Sequence, residues 1–199
     1  MDTEEFTDAL REAHETPLSR LGSSKSLYAL TGGEMAGDAV RAAVAREATL
    51  AAETYDDLAA ATDGETRTLL SDLAASARDQ AETAGTEPTD RQFPDLEALA
   101  ATETDAGRLG GALARQLLAE TRVAQAVGFF VGDADPQSAQ TFRSLRSAVE
   151  TDRDRVAEAL AGVDDRETAR EAADAVIEAA YEDYVESLES MGVEPKNVC

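Results

Sequence analysis

Between Met35 and Ala61 the apolar residues recur every three or four positions, with Val40, Val44, Ala51, Tyr55 and Leu58 on one line. That is the period of a helix face; a strand alternates its faces every second residue. The same spacing runs along the rest of the chain and strand-type alternation is absent, so the sequence predicts an all-α fold. One residue breaks the line. Glu47 lies between Val44 and Ala51, on the face that should be buried, and an unpaired buried carboxylate is expensive.

Charge is the second constraint. The chain has 199 residues, 41 of them acidic and 18 basic, for a formal net charge of −23. The basic side is nearly all arginine, with Lys25 and Lys196 the only lysines. Carboxylates hold water and cations, and their mutual repulsion is screened over about 3 Å in 1 M salt. The composition therefore reads as that of a protein working in molar salt, as in a salt-accumulating archaeon. In that setting the charge does not point to a cationic partner. It disfavours nucleic acid, whose phosphate backbone repels an acidic surface. No apolar run is long enough for a membrane span and no leader pattern opens the chain, so a cytoplasmic location is expected. Cys199 is the only cysteine, which excludes an internal disulfide framework.

The chain divides into helices without an obvious break between domains, and 1–199 reads as one domain. Residues 1–34 form an N-terminal segment. It holds a short helix from Thr3 to His14, with Phe6, Ala9, Leu10 and Ala13 inward, and a second opened by Pro17 and running through Leu21, Leu27 and Tyr28. Gly32 and Gly33 stop it. Residues 35–161 hold four long helices, at 35–61, 65–84, 106–131 and from Pro136 on. The second carries Leu70, Leu73, Ala77, Gln80 and Ala84 on its line. The third carries Leu109, Leu113, Leu117, Glu120, Ala124, Val127 and Val131, and the fourth Phe142, Leu145, Val149, Val156 and Leu160. The stretch "GTEPTDRQFPDLEALAATETD" connects the two pairs. A last helix, 165–191, has Val176, Ala180, Tyr184 and Leu188 in line, and 192–199 is a short tail. Helices of 20–27 residues measure roughly 30–40 Å.

Two helices, a long crossover and two more helices make a ferritin-like antiparallel four-helix bundle with one long crossover. Glu47 then has a counterpart in Glu120, on the inward line of the third long helix. With these two carboxylates and this helix order, residues 35–161 resemble the ferritin-like superfamily and, within it, the rubrerythrin family. The resemblance implies a two-metal centre held by one Glu from each of two helices and a Glu-x-x-His pair from each of the others. The sequence departs from that pattern. The second helix offers Ala77 and Gln80 where the pair would fall. The fourth offers Glu150 and Arg153 in one register, or Val149 and Asp152 in the other, and no histidine remains. Three readings stay open for Glu47 and Glu120. They bind iron or manganese through carboxylates alone; they form a vestigial centre in which Arg153 sits between them as a compensating cation; or they face water at a helix boundary.

"SRLGSSKSLYALTGGEM" is the least generic stretch, combining Lys25, Tyr28, Gly32 and Gly33 as a candidate interaction segment or lid; the plainer reading is a helix with a glycine stop. "TGGE" lacks the Lys-Ser/Thr ending of a phosphate loop. His14, at a helix end, suits the dipole there and lacks partners for ligation. Cys199 is a terminal thiol that no prenylation box contains. Tyr181, Tyr184 and Leu188 read as packing, and no Ser/His/Asp or Cys/His set is present.

The segment "SRLGSSKSLYALTGGEM" and the terminal "PKNVC" are similar to a group of haloarchaeal proteins of this size, described as rubrerythrin-family or as transcription antitermination proteins. Three functions follow as expectations. The first is a non-enzymatic binding or regulatory bundle with a degenerate metal site, no cofactor, an unidentified protein partner and a homodimeric assembly. The second is a residual iron or manganese site for oxidant handling. The third is an antitermination factor acting on RNA polymerase or RNA.

Overall fold

The computed structural model describes residues 3–85 and 89–195. Among them every regular element is a helix: α1 Thr3–Ala13, α2 Glu15–Leu21, α3 Ser24–Leu30, α4 Gly37–Ala60, α5 Gly64–Ala84, α6 Pro94–Ala100, α7 Asp105–Gly132, α8 Pro136–Ala161 and α9 Arg166–Ser190. No helix of the described residues is long and apolar enough to cross a membrane.

The four long helices from α4 to α8 lie where the apolar spacing put them. The predicted lines of α4, α5, α8 and α9 are buried throughout, from Val40 on α4 to Leu188 on α9. α4 packs along α5 and α7 along α8, while α5 also meets α8 and α4 meets α7. α9 lies along α7 on the side away from α8 and also packs against α6. α7 is thus packed on two flanks, and Ala106–Ala119 is buried on every side.

Four expectations need correction. The helix opened at Pro17 is two helices, because Gly22 caps α2 and Ser23 turns extended (ψ 162°) before α3 begins. In the connection 85–105, Pro94 opens α6 at the first-turn position that suits proline, and Leu96 and Leu99 bury on the core. On α1, Ala13 faces solvent while the next residue, His14, is buried. On α7 the line through Glu120 to Val131 rotates out of the core. Val131 is 55% exposed, and the buried face there is Arg122, Val123, Ala126 and Phe130.

The apolar interior falls into two clusters along the bundle. One gathers Val40, Val44, Ala84, Val123, Phe130 and Phe142. The other includes Ala51, Tyr55, Leu73, Ala77, Leu117 and Val156. Between those two groups each helix places at least one polar side chain, Glu47 on α4, Gln80 on α5, Glu120 and Arg122 on α7, and Asp152 on α8, beside buried apolar residues such as Ala48, Ala119 and Val149.

Helix ends follow backbone chemistry. After α3, Gly33 N–H donates to Tyr28 O (2.8 Å) and Gly32 N–H to Ala29 O, with Gly32 at φ +61°. This is the paired terminus that glycine favours. α7 ends in the same way, with Asp135 N–H on Phe130 O (3.0 Å), but Ala134 holds the left-handed position at φ +57°. An alanine there is strained by about 1 kcal/mol. Ala134→Gly is therefore expected to raise the urea midpoint, by roughly that amount in stability, and an unchanged midpoint would show the strain is absent.

Candidate functional site

The polar layer is built on Glu47, which is 3% exposed. Its Oε1 lies 3.0 Å from Arg122 Nη1 and 3.6 Å from Arg115 Nη2. Both arginines come from α7, seven residues apart and so two turns along one face. Arg122 also grips Asp95 on α6 with two parallel hydrogen bonds, Nη1 to Oδ2 at 2.9 Å and Nη2 to Oδ1 at 3.1 Å. Asp95 is fully buried. The guanidinium directs its N–H groups at Asp95, and Oε1 of Glu47 has charge contact without a hydrogen bond of its own among the described residues. Two carboxylates and two guanidiniums make the group neutral, the condition under which buried charges persist. Burial works against the Arg122 cation, yet Asp95 first and Glu47 second outweigh it and hold its pKa above the ordinary arginine value.

The network extends in both directions. Phe93, next to α6, lies under the guanidiniums of Arg122 (5.4 Å to the ring centre) and Arg91 (5.5 Å), a favourable seat for desolvated cations. Arg91 bonds Asp183 of α9 at 2.6 Å and donates to Ala29 O of α3 at 3.2 Å. Burial raises the Asp183 carboxyl, with Arg91 pulling it back. Towards the four-helix core, Arg115 Nη1 donates to Gln116 Oε1 (3.2 Å), and Gln116 Nε2 donates to the Tyr55 hydroxyl (3.3 Å). Burial pushes the Tyr55 phenol up to about 12.

Gln80 joins a different partner. Its amide donates to Asp152 Oδ2 (3.3 Å), and the Ser76 hydroxyl donates to the same oxygen at 2.6 Å. Burial raises the Asp152 carboxyl, and the Ser76 hydrogen bond only partly offsets it. A carboxyl raised in the folded state binds more protons folded than unfolded, so its contribution to stability falls as pH rises past 3.8 towards the folded value. Asp152→Asn is thus expected to raise the urea midpoint at pH 7, with the advantage shrinking as pH is lowered towards 4. An advantage independent of pH would mean that Asp152 is not the group responsible.

Glu120 stands apart from Glu47. It is part-buried at the α7–α8 surface, 2.5 Å from Arg153 Nη1 and 3.5 Å from Arg146. Arg146 also pairs with the half-buried Glu150 at 3.0 Å, one helical turn on. Glu120, Arg153 and Glu150 therefore form one surface cluster. Arg153 meets Glu120, whereas the cations beside Glu47 are Arg115 and Arg122. Those two arginines and Asp95 were missed. The signal was present: "LARQLLAETRV" embeds two arginines at a two-turn spacing in an otherwise apolar helix. The Glu120 line drew attention to the adjacent face instead.

In the N-terminal segment, Lys25 Nζ donates to Glu194 O at 2.8 Å, tying α3 to the chain beyond α9. Tyr28 lies against Gly33, which also faces Met191. Gly32 and Gly33 act as the stop described above. His14 is not partnerless: its Nε2 is 2.7 Å from Asp174 Oδ1 on α9. Cys199 lies outside the described residues.

As to a metal pair, no three His, Cys, Asp or Glu side chains converge among the described residues. At Glu47 two guanidiniums stand on the carboxylate where a divalent cation would have to approach, and Glu120 faces the outside of the bundle. This donor set does not fit an iron or manganese pair. No family model, curated protein or solved structure matches the chain.

Proposed function

We propose that this chain is a non-enzymatic helical bundle of the ferritin-like, rubrerythrin-related kind, in which arginines have taken the place of the metals. It serves a binding or regulatory role in a salt-accumulating archaeon. One observation carries the reading: the inward carboxylate of α4 is compensated by Arg115 and Arg122 instead of by ligand-bearing neighbours. The order of two long helices, a crossover and two more supports the kinship. So does the polar layer at the level of Glu47, Gln80 and Asp152. A guanidinium holds its charge at any accessible pH and cannot change oxidation state, so the layer supplies structure and no redox chemistry. Binding then falls to outer surfaces, of which the α3 segment around Lys25 and Tyr28 is the first to test.

The test is metal content by mass spectrometry on protein purified in molar KCl, beside a Glu47→Gln variant. Iron and manganese at trace level in both is the expected result. About two equivalents, as a two-metal centre holds, lost in Glu47→Gln, would overturn the proposal and move the chain to oxidant handling. Co-purification of RNA polymerase or transcripts would instead favour the antitermination reading.

A further inference from the structure

Behind α3, a small chamber of mixed polar and apolar lining lies beside Arg122 and the Arg91–Asp183 pair. Its walls include Ser26 and Leu30 of α3, Arg91, Arg122 of α7, and Asp183 and Tyr184 of α9. Two wall residues carry buried donors with no partner among the described residues, the Tyr184 hydroxyl and Arg91 Nε. Tyr184 is 2% exposed. Buried polar groups are nearly always hydrogen-bonded, and an orphan beside a polar space points to a bound partner. The chamber holds about 10 Å³, close to the least that admits one water molecule and too small for two.

We infer that the chamber is a binding site for a single structural water, which joins Tyr184 and Arg91 to Asp183. The donors and acceptors match. Tyr184 O–H and Arg91 Nε–H each donate to the water oxygen, and the water donates to the Asp183 carboxylate and the Ser26 hydroxyl. That gives four hydrogen bonds, the upper end of what buried waters make. The water completes the polar network where side chains alone leave gaps, and it adds a solvent link between α3 and α9 to the apolar contact of Ala29 and Leu30 with the α9 core. Halide is the competing occupant in a protein suited to molar salt. The Asp183 carboxylate disfavours it, since it would face an anion at contact distance.

Crystals of the protein grown in KCl and in KBr, with urea unfolding of Tyr184→Phe, test the site. Expected are a chamber peak of water height in both salts, without bromide anomalous signal, and a lower urea midpoint for Tyr184→Phe. The midpoint falls because the variant leaves the water one partner short. Bromide signal in the chamber would overturn the water, and so would an empty chamber. A Tyr184→Phe midpoint equal to or above that of the parent would do so too, because removing a dry, unpaired hydroxyl relieves a penalty.

Discussion

Arg122→Met is expected to destabilise the fold by about 3–5 kcal/mol, the range for removing one partner of a buried ion pair. Arg122 is 3% exposed and serves two carboxylates at once. Without it Asp95, fully buried, loses both of its hydrogen bonds. Glu47 keeps only Arg115, at 3.6 Å. Methionine fills much of the volume, so the loss is electrostatic and not a cavity effect. Two comparisons separate this from a general effect of losing an arginine. Arg153→Met removes the partner of Glu120, whose side chain is 17% exposed, and is expected to cost less than about 1 kcal/mol. Arg122→Lys keeps the charge but not the fork, and should fall between. Urea unfolding in molar KCl measures all of this. Molar salt screens the surface pair but barely reaches the buried one. Equal midpoints for Arg122→Met and Arg153→Met would remove Arg122 from the centre of the fold.

The helices themselves were legible because their signal is local. A face repeated over six turns, as on α4 or α9, survives any error in a single residue. Even the inward position of Glu47 could be read, since its neighbours at three and four residues are all apolar. Its partner could not. Arg153 and Arg122 are both arginines on helices facing the same level, and only the rotation of α7 decides which one reaches Glu47. That rotation is set by α9 and α6 packing on α7 from the far side, and the α9 contact, as between Gly110 and Ala169, spans more than fifty residues of sequence. Asp95 was hidden for a related reason. Its segment reads as a connection until α9 is in place to bury Leu96 and Leu99. The spacing of Phe93, Leu96 and Leu99 around the first-turn Pro94 was nevertheless a helix signal. His14 looked solitary because Asp174, its partner, is one acid among 41.

Gly110→Ala is expected to be the other severe substitution, and its sign opposes helix propensity. In an exposed helix interior, alanine is better than glycine by about 1 kcal/mol. At Gly110, however, an added Cβ would stand 1.9 Å from the carbonyl oxygen of Ala169 and 2.5 Å from its carbonyl carbon. These are backbone atoms of α9, with no rotamer to turn aside. α7 and α9 touch main chain to main chain at this point, and Ala169 and Ala173 are fully buried beside it. Accommodating one methyl group would require α9 to move away along with the Asp183 and Tyr184 it carries. Overpacking of this kind costs about 3 kcal/mol. Gly128 is the contrasting site on the same helix, with nothing within 4 Å of an added Cβ. Gly128→Ala should therefore stabilise by about 0.5–1 kcal/mol. The double variant Gly110→Ala, Ala169→Gly sharpens the test. Shortening Ala169 removes a side chain but leaves the clashing carbonyl, so the deficit should persist. Full rescue by Ala169→Gly would mean that side chains, and not the two backbones, set the distance between α7 and α9.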